Sequence, residues 1–205
     1  MKAVTDKVIS RIYGKGRGWA FSQKDFADLG SSAAIDVALH RFQKKGTIRR
    51  VLRGLYDYPR YSKKLRQNVS PDVDQVAQAM ARKFGWRIQP SGPAALNILG
   101  LSTQIPGQYT YYSDGPDRHY QIGKASLTFE NAPLKETGFK YHQSAVLVGA
   151  TKSLGKEHID RSTLTHIRDW LDPKMQSAIL KDTRSVSSWI YRAIREALRK
   201  EENNG

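Results

Sequence analysis

The sequence predicts an α+β fold in two parts, and three observations carry the prediction. Apolar residues recur at helical spacing up to residue 45, an arginine-rich pair of β-type runs follows at residues 47–58, and after a polar basic stretch helix-period and strand-type segments alternate. At 205 residues the chain accommodates two modest domains. Its 39% hydrophobic and 10% aromatic content is enough apolar material for real cores.

Taken in order, Val4, Val8, Ile9 and Ile12 predict a first helix ahead of the glycine-rich break 14–18. Trp19 to Phe21 read as a short extended entry. Ser22 then caps a second, short helix over Gln23 to Leu29, closed by Gly30. Ser31 or Ser32 caps a third helix, in which Ile35, Ala38, Leu39 and Phe42 form one apolar stripe. Gly46 ends it. Thr47–Leu52 and Leu55–Tyr58 read as a hairpin joined around Arg53 and Gly54. Residues 61–70, polar, basic and aperiodic, read as a linker, so the expected domains are 1–60 and 71–205.

The second part opens with Pro71 at a helix start and Val73, Val76, Ala77, Met80, Ala81 and Phe84 on one face up to Gly85. A strand over Trp86–Gln89 and a helix from Pro93 to Leu99 follow. Gln108–Ser113, His119–Ile122 and Ser126–Phe129 predict a small antiparallel sheet. From Gln143 on, helices are expected over Ser144–Ser153, Lys156–Trp170, Lys174–Leu180 and Ser185–Lys200, with a frayed tail EENNG. The last helix sets Val186, Trp189, Ile190, Ala193, Ile194, Ala197 and Leu198 against a face of arginines, and core docking is preferred to membrane binding for it.

Charge narrows the function. The net charge is +15, a field that concentrates polyanions. Residues 1–69 hold 16 Lys and Arg against 5 Asp and Glu, whereas residues 70–205 hold 18 against 14, so the basic character belongs to the first third. The absence of cysteine excludes disulfides, thiolate zinc sites and cysteine nucleophiles. No apolar run approaches a membrane span and no secretory signal opens the chain, so a cytoplasmic protein without membrane attachment is expected.

Residues 22–45 have the layout of a helix-turn-helix, in which a scaffold helix holds a second helix whose N-terminal part enters a major groove. The hairpin TIRRVLRGLYDYP stands where a wing would, which makes a winged helix-turn-helix. Roles follow from position. Ser31 and Ser32, at a helix N-terminus, suit a phosphate. Ala33, Asp36, Val37 and His40 face outward in the first turns as candidates for base edges, Ala33 or Val37 meeting a thymine methyl and Asp36 accepting from cytosine. Asp36 has a structural alternative, a contact to Arg41 or a neighbouring loop. Arg41, Lys44 and Lys45 on the helix, with Arg49, Arg50 and Arg53 on the hairpin, suit phosphates or a minor groove. Tyr56 and Tyr58 read as core or wing-base residues rather than stacking platforms.

The stretch SSAAIDVALHRFQKKGTIRRVLRGLYDYPR resembles the N-terminal winged helix of AbiEi-type antitoxins of bacterial type IV toxin-antitoxin systems. The block GWRIQPSGPAALNILGLSTQIPGQYTYYSDGPDR is similar to the segment that follows it in compact members, so the resemblance covers roughly residues 1–135. It implies a two-domain, cofactor-free repressor of its own operon that opposes a nucleotidyltransferase-type toxin, with Ser31–Lys45 as recognition helix and Arg49–Tyr58 as wing. Its DNA partner would be its own double-stranded operator, and a homodimer is the form such regulators commonly take. The chain has a shorter C-terminal portion than the longer antitoxins.

Catalysis finds no support in the motifs. His40, His119, His142, His158 and His166 lack metal-ligand spacing, and no phosphate loop, dinucleotide fingerprint or nucleophile elbow is present. His119 beside Asp117 sits in DGPD, which is a turn composition first. Two alternatives to a regulator stay open: a nucleic-acid-processing enzyme that docks through the winged helix, and an interaction module whose basic surface binds an acidic protein.

Overall fold

A computed structural model describes residues 3–102, 107–131 and 139–199. Its elements are helix α1 (Val4–Lys15), strand β1 (Ala20–Phe21), a 3-10 turn (Gln23–Phe26), α2 (Ser32–Lys44), β2 (Arg49–Leu52), β3 (Leu55–Asp57), β4 (Tyr61–Ser62), β5 (Gln67–Asn68) and α3 (Val73–Phe84). There follow β6 (Ile88–Pro90), α4 (Gly92–Leu99), β7 (Gln108–Ser113), β8 (Arg118–Ile122), β9 (Ala125–Asn131), α5 (His142–Leu154), α6 (Arg161–Trp170), α7 (Gln176–Asp182) and α8 (Ser188–Ala197), with 3-10 turns at Lys156–His158 and Pro173–Met175. The architecture is mixed α+β. Among the described residues the strands form sheets of order β1-β3-β2, β4-β5 and β6-β7-β9-β8. Residues 103–106 of the block 85–118, the expected helix end at Lys200 and the tail 201–205 lie outside the described residues.

Contacts divide the chain into two compact units, residues 1–88 with 119–127, and residues 89–118 with 128–205. In the first unit α1, α2 and the β1-β3-β2 sheet enclose a core of Val8, Ile12, Phe21, Phe26, Ile35, Ala38, Leu39, Phe42 and Ile48. Phe21 and Phe26 meet edge to face at 5.4 Å, and Trp19 caps both rings. Arg11 on α1 donates to both oxygens of Asp28, at 2.6 and 2.7 Å, and to the Asp25 carbonyl at 2.9 Å.

That hydrogen-bonded guanidinium holds the Asp28 carboxyl down at about 2 from an ordinary 3.8. Because the folded value is the lower one, the clamp contributes fully above pH 3.8 and is lost as pH falls through about 2. Thermal melts should therefore show wild type above Asp28→Asn at neutral pH, with the gap closing in strong acid. A constant gap would mean that the pair does not carry the difference.

The structure departs from expectation at three places in this unit. The second helix, expected over 23–29, is a single 3-10 turn over Gln23–Phe26. Asp25 Oδ2 accepts the Ser22 backbone N–H at 2.8 Å, and the Leu29 N–H bonds back to the Phe26 carbonyl at 2.8 Å, closing the segment before an α-helical ladder can build. The expected linker 61–70 contains the β4–β5 hairpin, with Tyr61 opposite Asn68 and Ser62 opposite Gln67. The boundary also falls later than expected, after Ile88, because the apolar face of α3 packs on β1, β3 and the 3-10 turn of the first unit.

The second unit buries Leu99 of α4, Val146 to Val148 of α5, Ile167 of α6, Ile179 of α7, and Ile190 and Ile194 of α8 in one cluster. The final helix docks on this core, as its apolar face predicts. The single helix expected over 156–170 is interrupted before Arg161, where Asp160 Oδ1 accepts the Thr163 N–H at 2.7 Å and caps α6 afresh. No helix among the described residues is long and apolar enough to cross a membrane.

Candidate nucleic-acid interface

Of the two caps the sequence offers for α2, Ser31 and Ser32, the structure uses Ser31. Ser31 is extended (φ −66°, ψ 150°) and its Oγ accepts the Ala34 N–H at 3.3 Å, which leaves the amides of Ser32 and Ala33 at the helix mouth. Gln23 Nε2 donates to the Ser32 carbonyl at 2.9 Å and ties that mouth to the 3-10 turn. At Gly30, in the turn between them, a Cβ would stand 2.7 Å from Cγ2 of Val4, so only glycine lets α1 pack so closely on the turn.

Ile35, Ala38, Leu39 and Phe42 point into the core, which rotates Ser32, Ala33, Asp36, Val37, His40, Arg41 and Lys44 to solvent together. Ser31 and Lys45 at the two ends are exposed as well. Val37 is 49% exposed, an apolar side chain left on a mostly polar face. The side chains of Asp36, His40, Arg41, Lys44 and Lys45 make no hydrogen bond or ion pair among the described residues; the structural contact considered for Asp36 is not formed.

The β2–β3 hairpin carries the other half of the surface. Its tip is Arg53–Gly54, with Gly54 at φ 70°, the left-handed conformation that glycine adopts without strain. The register is irregular: Leu52 pairs with Leu55, but Arg50 pairs with Tyr56 and Arg49 with Asp57, so Val51 is an extra residue on β2. Arg50 and Arg53 are exposed, and their side chains have no partner among the described residues.

Arg49 differs from the other candidates. Its Nη2 and Nε bind the two oxygens of Asp57 at 2.5 and 3.0 Å, and its Nη1 donates to the Val69 carbonyl at 3.0 Å. Asp57 is 2% exposed, so this guanidinium neutralises a buried carboxylate. Three of its five N–H donors are engaged inside the fold and its charge is balanced by Asp57, so the structure gives Arg49 a structural role, which the DNA contact expected of it did not include. Tyr56 and Tyr58 lie where they were expected, Tyr56 stacked toward Phe21 and Tyr58 between the Tyr13 ring and the Arg17 guanidinium.

Helix α3, missed as a part of this surface, braces it. Lys83 Nζ donates to the Arg53 carbonyl at 3.1 Å and so holds the hairpin tip. Arg82 donates to Asp25 at 2.6 Å and to the Ala20 carbonyl at 2.8 Å. The RK pair before Phe84 was visible in the sequence. Its use as a brace was not, since long-range hydrogen bonds leave no local pattern.

A family model spanning residues 7–179 matches the sequence. The chain belongs to DUF6088, a family of unknown function. No curated protein matches it. The DUF6088 chain is also similar to the crystal structure of the RV2827C protein from Mycobacterium tuberculosis, at 12% identity and a TM-score of 0.40, over 95% of this chain and 76% of that one. The span matched by the DUF6088 model contains α2, the β2–β3 hairpin, β4–β5 and α3.

Proposed function

We propose that residues 1–60, within the first unit, form a winged helix-turn-helix and that the protein is a sequence-specific, DNA-binding transcriptional regulator, the autorepressing antitoxin of a type IV system. One observation carries this reading. Arg41, Lys44, Lys45, Arg50 and Arg53 are all exposed and unpaired among the described residues, while the neighbouring cations Arg11, Arg49, Arg60 and Arg82 are tied to carboxylates. Positive charge left unneutralised on one helix and the hairpin next in sequence suits a polyanion. The outward face of α2 adds short and apolar groups, Ala33 and Val37, in the first turns, where a groove-bound helix reads base edges.

The test is binding of the purified chain to the DNA upstream of its own gene and to a scrambled duplex across a salt series. Five phosphate-neutralising side chains predict a slope of log affinity against log salt of roughly −4 to −5, together with selectivity for the upstream duplex. Equal, weak binding to both duplexes would remove the regulator. The antitoxin part is tested separately by co-expression with a nucleotidyltransferase-type toxin encoded in the same operon: rescue of growth supports it, and continued arrest removes it.

A further inference from the structure

The β4–β5 hairpin, residues 61–68, is an unusual thing for a protein to hold out into water. Its turn presents Lys63, Lys64 and Arg66, all exposed and without a side-chain partner among the described residues. Between them Leu65 is 61% exposed, and Tyr61 on β4 is 54% exposed. Two strands of two residues each have no stability of their own. The base is nevertheless pinned: the Val69 N–H donates to the Arg60 carbonyl at 2.9 Å, Arg49 donates to the Val69 carbonyl at 3.0 Å, and Arg60 pairs with Asp72 at 3.0 Å. The tip is closed by the Ser62 Oγ, which accepts the Leu65 N–H at 3.2 Å, and by Arg66 in the left-handed region at φ 51°.

A short ribbon braced at its root, with an apolar side chain at its tip and cations on either side, fits a narrow anionic groove whose base steps an apolar wedge can enter. From this the geometry points to the 61–68 hairpin as a second DNA contact, laid in a minor groove with Lys63, Lys64 and Arg66 on the flanking phosphates and Leu65 against the base edges. Arg49 binds both Asp57 at the base of β2–β3 and Val69 at the base of β4–β5, so the two ribbons spring from one guanidinium and are presented together. Side chains of this kind favour A·T pairs, because the exocyclic amino group of G·C projects from the minor-groove floor into the space an apolar wedge takes. This inference rests on the DNA-binding reading above.

The test measures binding of the full chain to three duplexes of equal length: A·T-rich, G·C-rich, and the second with inosine in place of guanine, which restores an A·T-like minor groove while leaving the major groove G·C-like. Wild type should prefer the A·T-rich and inosine duplexes several-fold. With these three contacts the wild-type slope is steeper than the roughly −4 to −5 expected of α2 and the β2–β3 hairpin alone, and Lys63→Ala/Lys64→Ala/Arg66→Ala should make it shallower by roughly 2 to 3; Leu65→Ser should abolish the preference while leaving the melting temperature unchanged. Variants that bind with the wild-type slope and preference would overturn the hairpin contact and leave the regulator standing. Variants that lose binding to phosphatidylserine-containing vesicles, measured in parallel, while keeping the wild-type DNA slope and preference would overturn it in favour of a membrane surface. A wild-type chain that binds no duplex would overturn both readings.

Discussion

Arg49→Ala is expected to destabilise the first unit by about 3 kcal/mol, because it strips the partner from a buried carboxylate. Asp57 is 2% exposed and its two oxygens are met by one guanidinium, so removal of Arg49 leaves a largely buried negative charge without its counter-charge. The same change frees the Val69 carbonyl and with it the root of the β4–β5 hairpin. The partial exposure of the Arg49 side chain, 30%, places the effect toward the low end of what breaking a buried pair costs. Melting followed by circular dichroism should drop by roughly 6–12 °C. Arg49→Met/Asp57→Leu should recover most of the loss, since removing both charges leaves neither one stranded. An unchanged melting temperature in the single variant would show that the pair is not structural.

The reciprocal experiment is Arg50→Glu/Arg53→Glu, for which the expected loss is in binding and not in stability. Both side chains are exposed and make no hydrogen bond or ion pair among the described residues, while the tip backbone is held independently by Lys83 on the Arg53 carbonyl. Reversing two charges removes two phosphate contacts and adds like-charge repulsion in their place. Duplex affinity should fall on the order of 100-fold at physiological salt, and the salt slope should become shallower by roughly 2. Wild-type affinity in this variant would exclude the β2–β3 hairpin from the interface and leave α2 to be tested alone. Taken together, the two experiments separate arginines that are adjacent in sequence by opposite signatures, one thermal and one electrostatic.

Much of this is legible in the sequence. Helix α2, its buried stripe and its exposed face follow from the period of Ile35, Ala38, Leu39 and Phe42, because a helix that buries one stripe has no choice about which residues it exposes; between the two caps on offer, Ser31 and Ser32, the structure chose Ser31. The hairpin, its glycine tip and the docking of the final helix were equally readable from local pattern. Local pattern failed at 61–70, where an aperiodic basic stretch looks like a linker. A hairpin with two residues per strand has no alternation to display, and what holds it is Arg49 and Arg60, which lie outside it.

By itself, then, the sequence determined the α+β character, the faces of its helices and the concentration of positive charge in the first third, all of which depend on short-range periodicity or on composition. Only the tertiary structure decided which positive charges remain available. An unbroken ladder from the Arg53–Gly54 turn would set Arg50 opposite Asp57; the extra residue at Val51 sets Arg49 there instead, spends it on the buried carboxylate, and leaves Arg50 to solvent. A one-residue shift of register exchanges the roles of neighbouring arginines, and register is settled by what the strand packs against.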